Sequence, residues 1–170
     1  MHGVHGDVAG QSVAGGNAID ITTMNDTHVV NNQYNKSTTI ASTINARIGD
    51  VGGSVGYTSQ SVCNSAGVST DPTTTAVRSN QECRSIDPSS TVNAKIYNVG
   101  GDIGLASSSV GNTFEEDTNA PNAPLRTNQI NSSFVHSTVN ANLSNVGGSV
   151  AATSSAIGNN AQIIHYSTGN

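Results

Sequence analysis

Few side chains in this sequence are of a type that does chemistry, and most of them stand alone. His2 and His5 have a metal-like spacing, but they sit in a Gly-rich terminus with no third ligand beside them. His28, His136 and His165 fall at unrelated positions and read as surface or strand histidines. Glu115-Glu116-Asp117 is the one acidic run; it lacks the alternating oxygen ligands and the glycine of a calcium loop and reads as a solvated loop tip. Serines are plentiful, Ser107-Ser108-Ser109 among them, yet none lies in a nucleophile-elbow pattern or beside an identifiable base. An enzyme needs unique groups gathered at one place, whereas the residues that recur here are Asn, Ser and Thr. The sequence therefore predicts no catalytic residue, no metal site and no cofactor.

The recurrence itself is the strong signal. Asn32-Gln33, Asn80-Gln81 and Asn128-Gln129 are spaced by 48 residues, and Ser-Thr-(Ile/Val)-Asn-Ala returns at Ser42 to Ala46, Ser90 to Ala94 and Ser137 to Ala141. Val-Gly-Gly follows each time, with the glycine pairs Gly52-Gly53, Gly100-Gly101 and Gly147-Gly148. A further anchor appears four times, at Asn17, Asn64, Asn112 and Asn159. Such self-similarity means stacked units, each covering the apolar face of its neighbour because none can bury that face alone.

Composition agrees with thin, repetitive β-structure. Only 34% of the 170 residues are apolar and 4% aromatic, and the polarity comes from Asn, Ser, Thr and Gly rather than from charge. The net charge is −5, with six Lys and Arg that do not cluster along the chain, so a nucleic-acid partner is not expected. No apolar run approaches the roughly 20 residues of a membrane helix.

Before each Val-Gly-Gly, apolar and polar residues alternate strictly. Val139, Ala141 and Leu143 do so in the last copy, Val92, Ala94 and Ile96 in the middle one, and Ile44, Ala46 and Ile48 in the first. This is a half-buried strand. The glycine pairs and the residues before them tolerate positive φ and predict a turn. A second strand then runs as Val55/Tyr57/Ser59, Ile103/Leu105/Ser107 and Val150/Ala152/Ser154, and the pattern stops near the Asn17, Asn64, Asn112 and Asn159 anchors, which read as turns. The other column, Asn45, Asn93 and Asn140, reads as a hydrogen-bonded Asn ladder along the stack. The segments holding Pro72, Pro121 and Pro124 read as loops on one side. Periodicity is weakest from Ser69 to Gln81.

The expected fold is thus an all-β, β-solenoid domain over residues 1–170, with a partial repeat at 1–31 and repeats at 32–79, 80–127 and 128–170. Splitting each 48-residue unit into two halves gives about seven rungs of about 24 residues, a short rod of roughly 30 to 35 Å.

Both cysteines fall in one copy of the repeat. Cys63 stands where other copies have Gly111 and Gly158, and Cys83 where they have Asn35 and Asn131. The paired replacement favours a Cys63–Cys83 disulfide over two unrelated thiols. It would contribute about 3 kcal/mol and would imply an oxidising, extracellular location. No basic and apolar leader is visible at the start, which leaves a cytosolic and a processed form both open; the cysteines favour the latter.

With its Asn-Gln anchors, and with Ser109-Val110-Gly111-Asn112 and Ala156-Ile157-Gly158-Asn159, the chain resembles the curlin-type bacterial fibre proteins and the related holdfast-anchor proteins of stalked bacteria. The resemblance is one of repeat style over most of the chain. This sequence lacks the paired Gln of each curlin rung. What it implies is an exported cell-surface fibre or adhesive component. The expected function is an extracellular structural subunit that self-associates end to end into a filament, with cell-surface anchor proteins or glycans as further partners. The C-terminal apolar residues Ile163, Ile164 and Tyr166 are the expected polymer-end strand, since no charged cap covers them. The alternative is a non-polymerising binding module of an adhesin or phage fibre that recognises a glycan or receptor through the loops near Pro72 and Pro121.

Overall fold

A computed structural model of the chain describes residues 1–70, 75–85, 87–120 and 123–166. Eleven strands follow one another: β1 His2–Val4, β2 Val8–Thr23, β3 His28–Asn35, β4 Ile40–Val51, β5 Val55–Thr70, β6 Ala76–Cys83, β7 Pro88–Val99, β8 Ile103–Thr118, β9 Leu125–Asn131, β10 His136–Val146 and β11 Val150–His165. They form three parallel sheets, in the orders β1-β4-β7-β10, β11-β8-β5-β2 and β3-β6-β9. We call these the turn-side wall, the long wall and the loop-side wall. The chain passes along each wall once per turn, which is the winding of a solenoid.

The stacking register corrects the expected rung. Val55 pairs with Ile103, Asn80 with Asn128 and Asn93 with Asn140, so every strand lies on the strand one whole repeat away. One turn therefore consumes the full repeat, and the two halves never stack on each other. The walls hold four, four and three strands rather than seven rungs. The physical reason is that each half carries only part of an outline: a long-wall strand of 16 residues needs both shorter walls to cover its inner face. At about 3.3 Å per residue that wall is roughly 50 Å wide, while four layers at about 4.8 Å stand under 20 Å tall. The molecule is a broad slab, not a rod.

A parity slip explains why the second strand looked short. In β5, Ser59, Ser61 and Cys63 are buried, and then Asn64, Ala66, Val68 and Thr70 are buried. Two consecutive inward residues mark a bend, repeated in register at Gly111-Asn112 in β8, which we call the bulge although neither strand of a pair gains an extra residue. Alternation resumes in the opposite phase, so the strands run on to Thr70, Thr118 and His165 instead of ending at the Asn anchors. The segments expected to be loops are correspondingly shorter, because β6 and β9 occupy much of them. Pro124 lies just before β9, while Pro72 and Pro121 lie outside the described residues.

The bulge divides the slab into two lobes. Between the turn-side wall and the first half of the long wall, Val51, Val55, Val92, Ile96, Val99, Ile103 and Leu105 form an aliphatic core. Between the loop-side wall and the second half, Val29, Ala66, Val68, Val77 and Phe114 form a smaller one. Ile40 and the two cysteines pack where all three walls meet.

The turns differ from expectation in one respect. Within the expected turn segments, positive φ falls on the leading residue, Asp50, Asn98 and Asn145 at 57°, 53° and 52°, so the turn lies where it was expected and only the glycine pairs are not the positive-φ residues. The glycines serve close stacking instead. A Cβ on Gly100 would stand 2.6 Å from the carbonyl oxygen of Gly52, and one on Gly147 2.8 Å from that of Gly100. The second glycines behave alike: a Cβ on Gly101 would stand 2.8 Å from the carbonyl carbon of Gly53.

Candidate functional site

Stacking identical residues one layer apart gives every polar side chain a copy of itself as neighbour. An amide suits this position because it carries both donor and acceptor and passes the bond on to the next layer. On the outer face of the turn-side wall, Asn93 donates to Asn45 and Asn140 donates to Asn93, both at 2.9 Å. The Asn17, Asn64, Asn112, Asn159 set does the same inside the slab, through bonds of 2.9, 2.8 and 2.7 Å. These four residues are strand residues at the bulge rather than turns; Asn64 and Asn112 are fully buried. The amide that tolerates an irregular backbone also occupies the inner face just where the parity slips.

Further ladders carried no reading from sequence. Gln81 donates to Gln33 and Gln129 to Gln81, each at 2.8 Å, while their second protons reach across to long-wall carbonyls at Thr113 and Asn160. Asn98 donates to Asp50 at 2.8 Å and Asn145 to Asn98 at 2.9 Å. Asp50 carries no donor when ionised, so chemistry fixes the direction of that ladder. Between the lobes, Ser42 and Ser59 bond at 2.7 Å, Ser107 donates to Ser90 at 2.9 Å and Ser154 to Ser137 at 3.0 Å. The recurrent Ser before each Thr-(Ile/Val)-Asn-Ala was the available signal for this spine.

Cys63 and Cys83 are joined. The bond ties the long-wall bulge to the end of β6, in a position that other layers fill with Asn. Asn35 donates to the Cys63 carbonyl at 3.2 Å, and the amide of Asn131 lies against Gly111, which lacks the Cβ that would collide with it. The Gly-to-Cys and Asn-to-Cys replacements are therefore two ends of one cross-brace.

The acidic run is not a loop tip. It lies within β8, with Glu115 exposed and Glu116 turned inward at 1% exposure. Among the described residues neither Glu116 carboxylate oxygen has a hydrogen-bond partner, and burial pushes its carboxyl above the usual carboxylate range. The histidines are dispersed: His2 contacts Tyr97 and Asp50, His136 lies 3.5 Å from Asp87, and His165 bonds the Ala120 carbonyl oxygen. Among the described residues no group of three or more His, Cys, Asp or Glu is placed to hold a metal. Ile163 and Ile164 belong to β11, which among the described residues has β8 as its one sheet neighbour, and Tyr166 donates its backbone N–H to the Thr118 carbonyl oxygen. Ile163 and Tyr166 are 56% and 55% exposed.

Stacked parallel walls, amide ladders and a covalent brace define the class of a β-solenoid protein. Within that class, the family model for holdfast attachment protein D matches residues 2–170, and the chain belongs to that family. It is thereby a bacterial surface-attachment protein, and a cell-surface or extracellular location follows, with which the disulfide agrees. The match bears out the holdfast side of the sequence resemblance; a curlin-like relationship is not shown. No curated protein and no solved structure matches the chain significantly. Among the described residues no helix is long and apolar enough to cross a membrane, which leaves strand-based spanning untouched.

Proposed function

We propose that this chain is a structural subunit of the cell-surface attachment apparatus that joins other copies, and other holdfast components, by continuing its parallel sheets. The observation that carries this reading is the in-register stacking of ladders out to the outermost strands. Among the described residues, Asn17 in β2 and Asn159 in β11 are the last members of one ladder, on strands that each have a single sheet neighbour. A second copy placed with its β2 on β11 would bring Asn17 to Asn159 in the register used inside the slab. The side chains it would cover include Val13, Val150, Ile157 and Ile163, all exposed.

Parallel edges with apolar side chains invite pairing unless they are blunted by charge, proline or bulges. Electron microscopy and sedimentation of the purified chain provide the test. Filaments or axial oligomers are expected, and replacing Ile157 and Ile163 by Lys is expected to shorten or abolish them. A strictly monomeric, non-filamentous protein at high concentration would overturn the reading.

A further inference from the structure

Four of the six cationic side chains sit on one surface. Lys36, Arg78, Arg84 and Arg126 lie on or beside the outer face of the loop-side wall, although they are scattered in sequence. The repeat brings them together, since Arg78 and Arg126 are register partners. Opposite, on the outer face of the second half of the long wall, stand Asp20, Glu115 and Asp117, with Asp20 paired in register to Gly67 and Gly67 to Glu115. Because the middle layer of that column is a glycine, the carboxylates flank a shallow hollow.

The two charge sets are aligned through the slab. Gln81 donates to the Thr113 carbonyl, while Cys83, two residues on, is bonded to Cys63, which lies level with Gly111 in the register of β5 on β8, so β6 and β8 run in opposite directions across the lobe. Three residues back from Gln81 is Arg78; three residues on from Thr113 is Glu116, flanked by the outward Glu115 and Asp117. Arg78 thus lies directly behind this acidic pair, and Arg126 is one layer spacing, about 4.8 Å, further along the axis. Among the described residues, none of Arg78, Arg126, Asp20, Glu115 and Asp117 has an ion-pair partner. Arg84, by contrast, is paired with Glu82.

We infer that the basic outer face of the loop-side wall docks the acidic outer face of the long wall of a second copy, so that slabs pack side by side. The faces are of similar width, since β6 spans 8 residues and the second half of β5 about as many. A shift along the slab normal is enough to set Arg78 of one copy against Glu115 and Asp117 of the next. Different surfaces meet, so the contact is heterologous, and because a translation relates the copies it does not close and extends laterally. Tyr34 and Ile130, each 46% exposed, lie beside the basic column and would be partly covered. Charge pairing of this kind governs specificity and salt sensitivity more than raw affinity. The inference does not rest on end-to-end stacking, which uses strand edges instead of sheet faces.

Zero-length cross-linking of the full chain tests it. In R78K/R126K the new amines and the Glu115 and Asp117 carboxylates lie on opposite sides of the lobe, so a carbodiimide amide between them must join two molecules. Peptide mapping is expected to find that link at low salt and to lose it in 0.5 M salt, roughly five times the ionic strength at which exposed charges already screen within about 10 Å. R78E/R126E and E115K/D117K are each expected to be laterally dissociated alone and to associate when mixed. Wild-type chain that shows no lateral association at low salt, or mixed variants that stay apart, would overturn the proposal. So would cross-links confined to strand edges, and those would leave axial stacking standing. Association of R78E/R126E with itself as strongly as wild type would also overturn it.

Discussion

The two lobes solve the same stacking problem with different side chains. In the turn-side lobe, Val, Ile and Leu repeat from layer to layer over glycine turns and form one cluster of buried apolar side chains. In the loop-side lobe five apolar residues share the interior with buried Asn31, Gln33, Ser79, Gln81 and Glu116. The first lobe gains from area removed from water. The second depends on satisfied hydrogen bonds and on a covalent brace, so its stability hinges on a few individual residues.

That contrast makes ordered predictions. Phe114 is the largest fully buried side chain of the loop-side lobe, and Phe114→Ala should cost about 3–5 kcal/mol, against about 2–4 for Ile96→Ala in the better-backed turn-side core. Urea denaturation of both variants measures the difference; a larger loss at Ile96 would reverse the ranking of the lobes. Removing the brace with the double change Cys63→Ser and Cys83→Ser should cost about 3 kcal/mol. Hydrogen exchange should then show the loss of protection concentrated in β6 and the second half of β5. Protection lost evenly across both lobes would show that they unfold as one unit.

The ladders give the next step down. Asn64→Ala leaves Asn17 and Asn112 facing a gap in a buried column and should cost about 2 kcal/mol, whereas Asn93→Ala in the exposed ladder should cost under about 1. Thermal melts of the pair read this directly, and equal losses would mean that burial does not set the worth of a ladder.

Glu116 supplies an effect of opposite sign. Its folded pKa is raised by burial, so the folded state holds its proton more tightly than the unfolded chain. Stability is therefore highest below the unfolded carboxylate value of about 4.3, and it falls as pH rises from there until the folded pKa is passed. Glu116→Gln should remove that decline, stabilising the chain at pH 8 and changing it least at pH 4. Parallel pH profiles with no difference in slope would show that the carboxyl finds a partner.

How much of this was legible varies by residue. The strand through Ser90, Val92, Ala94 and Ile96 was readable because its alternation is unbroken and local. The brace was readable because both cysteines replace repeat partners in one copy. The second half of the long wall was not readable, since two successive inward residues at Cys63-Asn64 erase the period-two signal. Glu116 escapes a reading from sequence for the same reason: three acids in a row resemble a loop until the strand sends the middle one inward. The cations seemed dispersed because their clustering exists only in the register of β3, β6 and β9.

The sequence by itself determined that units of 48 residues stack, that their strands are thin and polar, and that Cys63 meets Cys83. These are consequences of periodicity and local alternation, which the chain carries in its own order. Only the tertiary structure decided that one repeat is one turn, that Asn64 is an interior ladder residue, and that Arg78 stands behind Glu115 and Asp117. Those outcomes depend on which strand pairs with which across 48 residues. A half-repeat pattern is compatible with either pairing, and the choice falls to whichever outline covers the inner face of every wall.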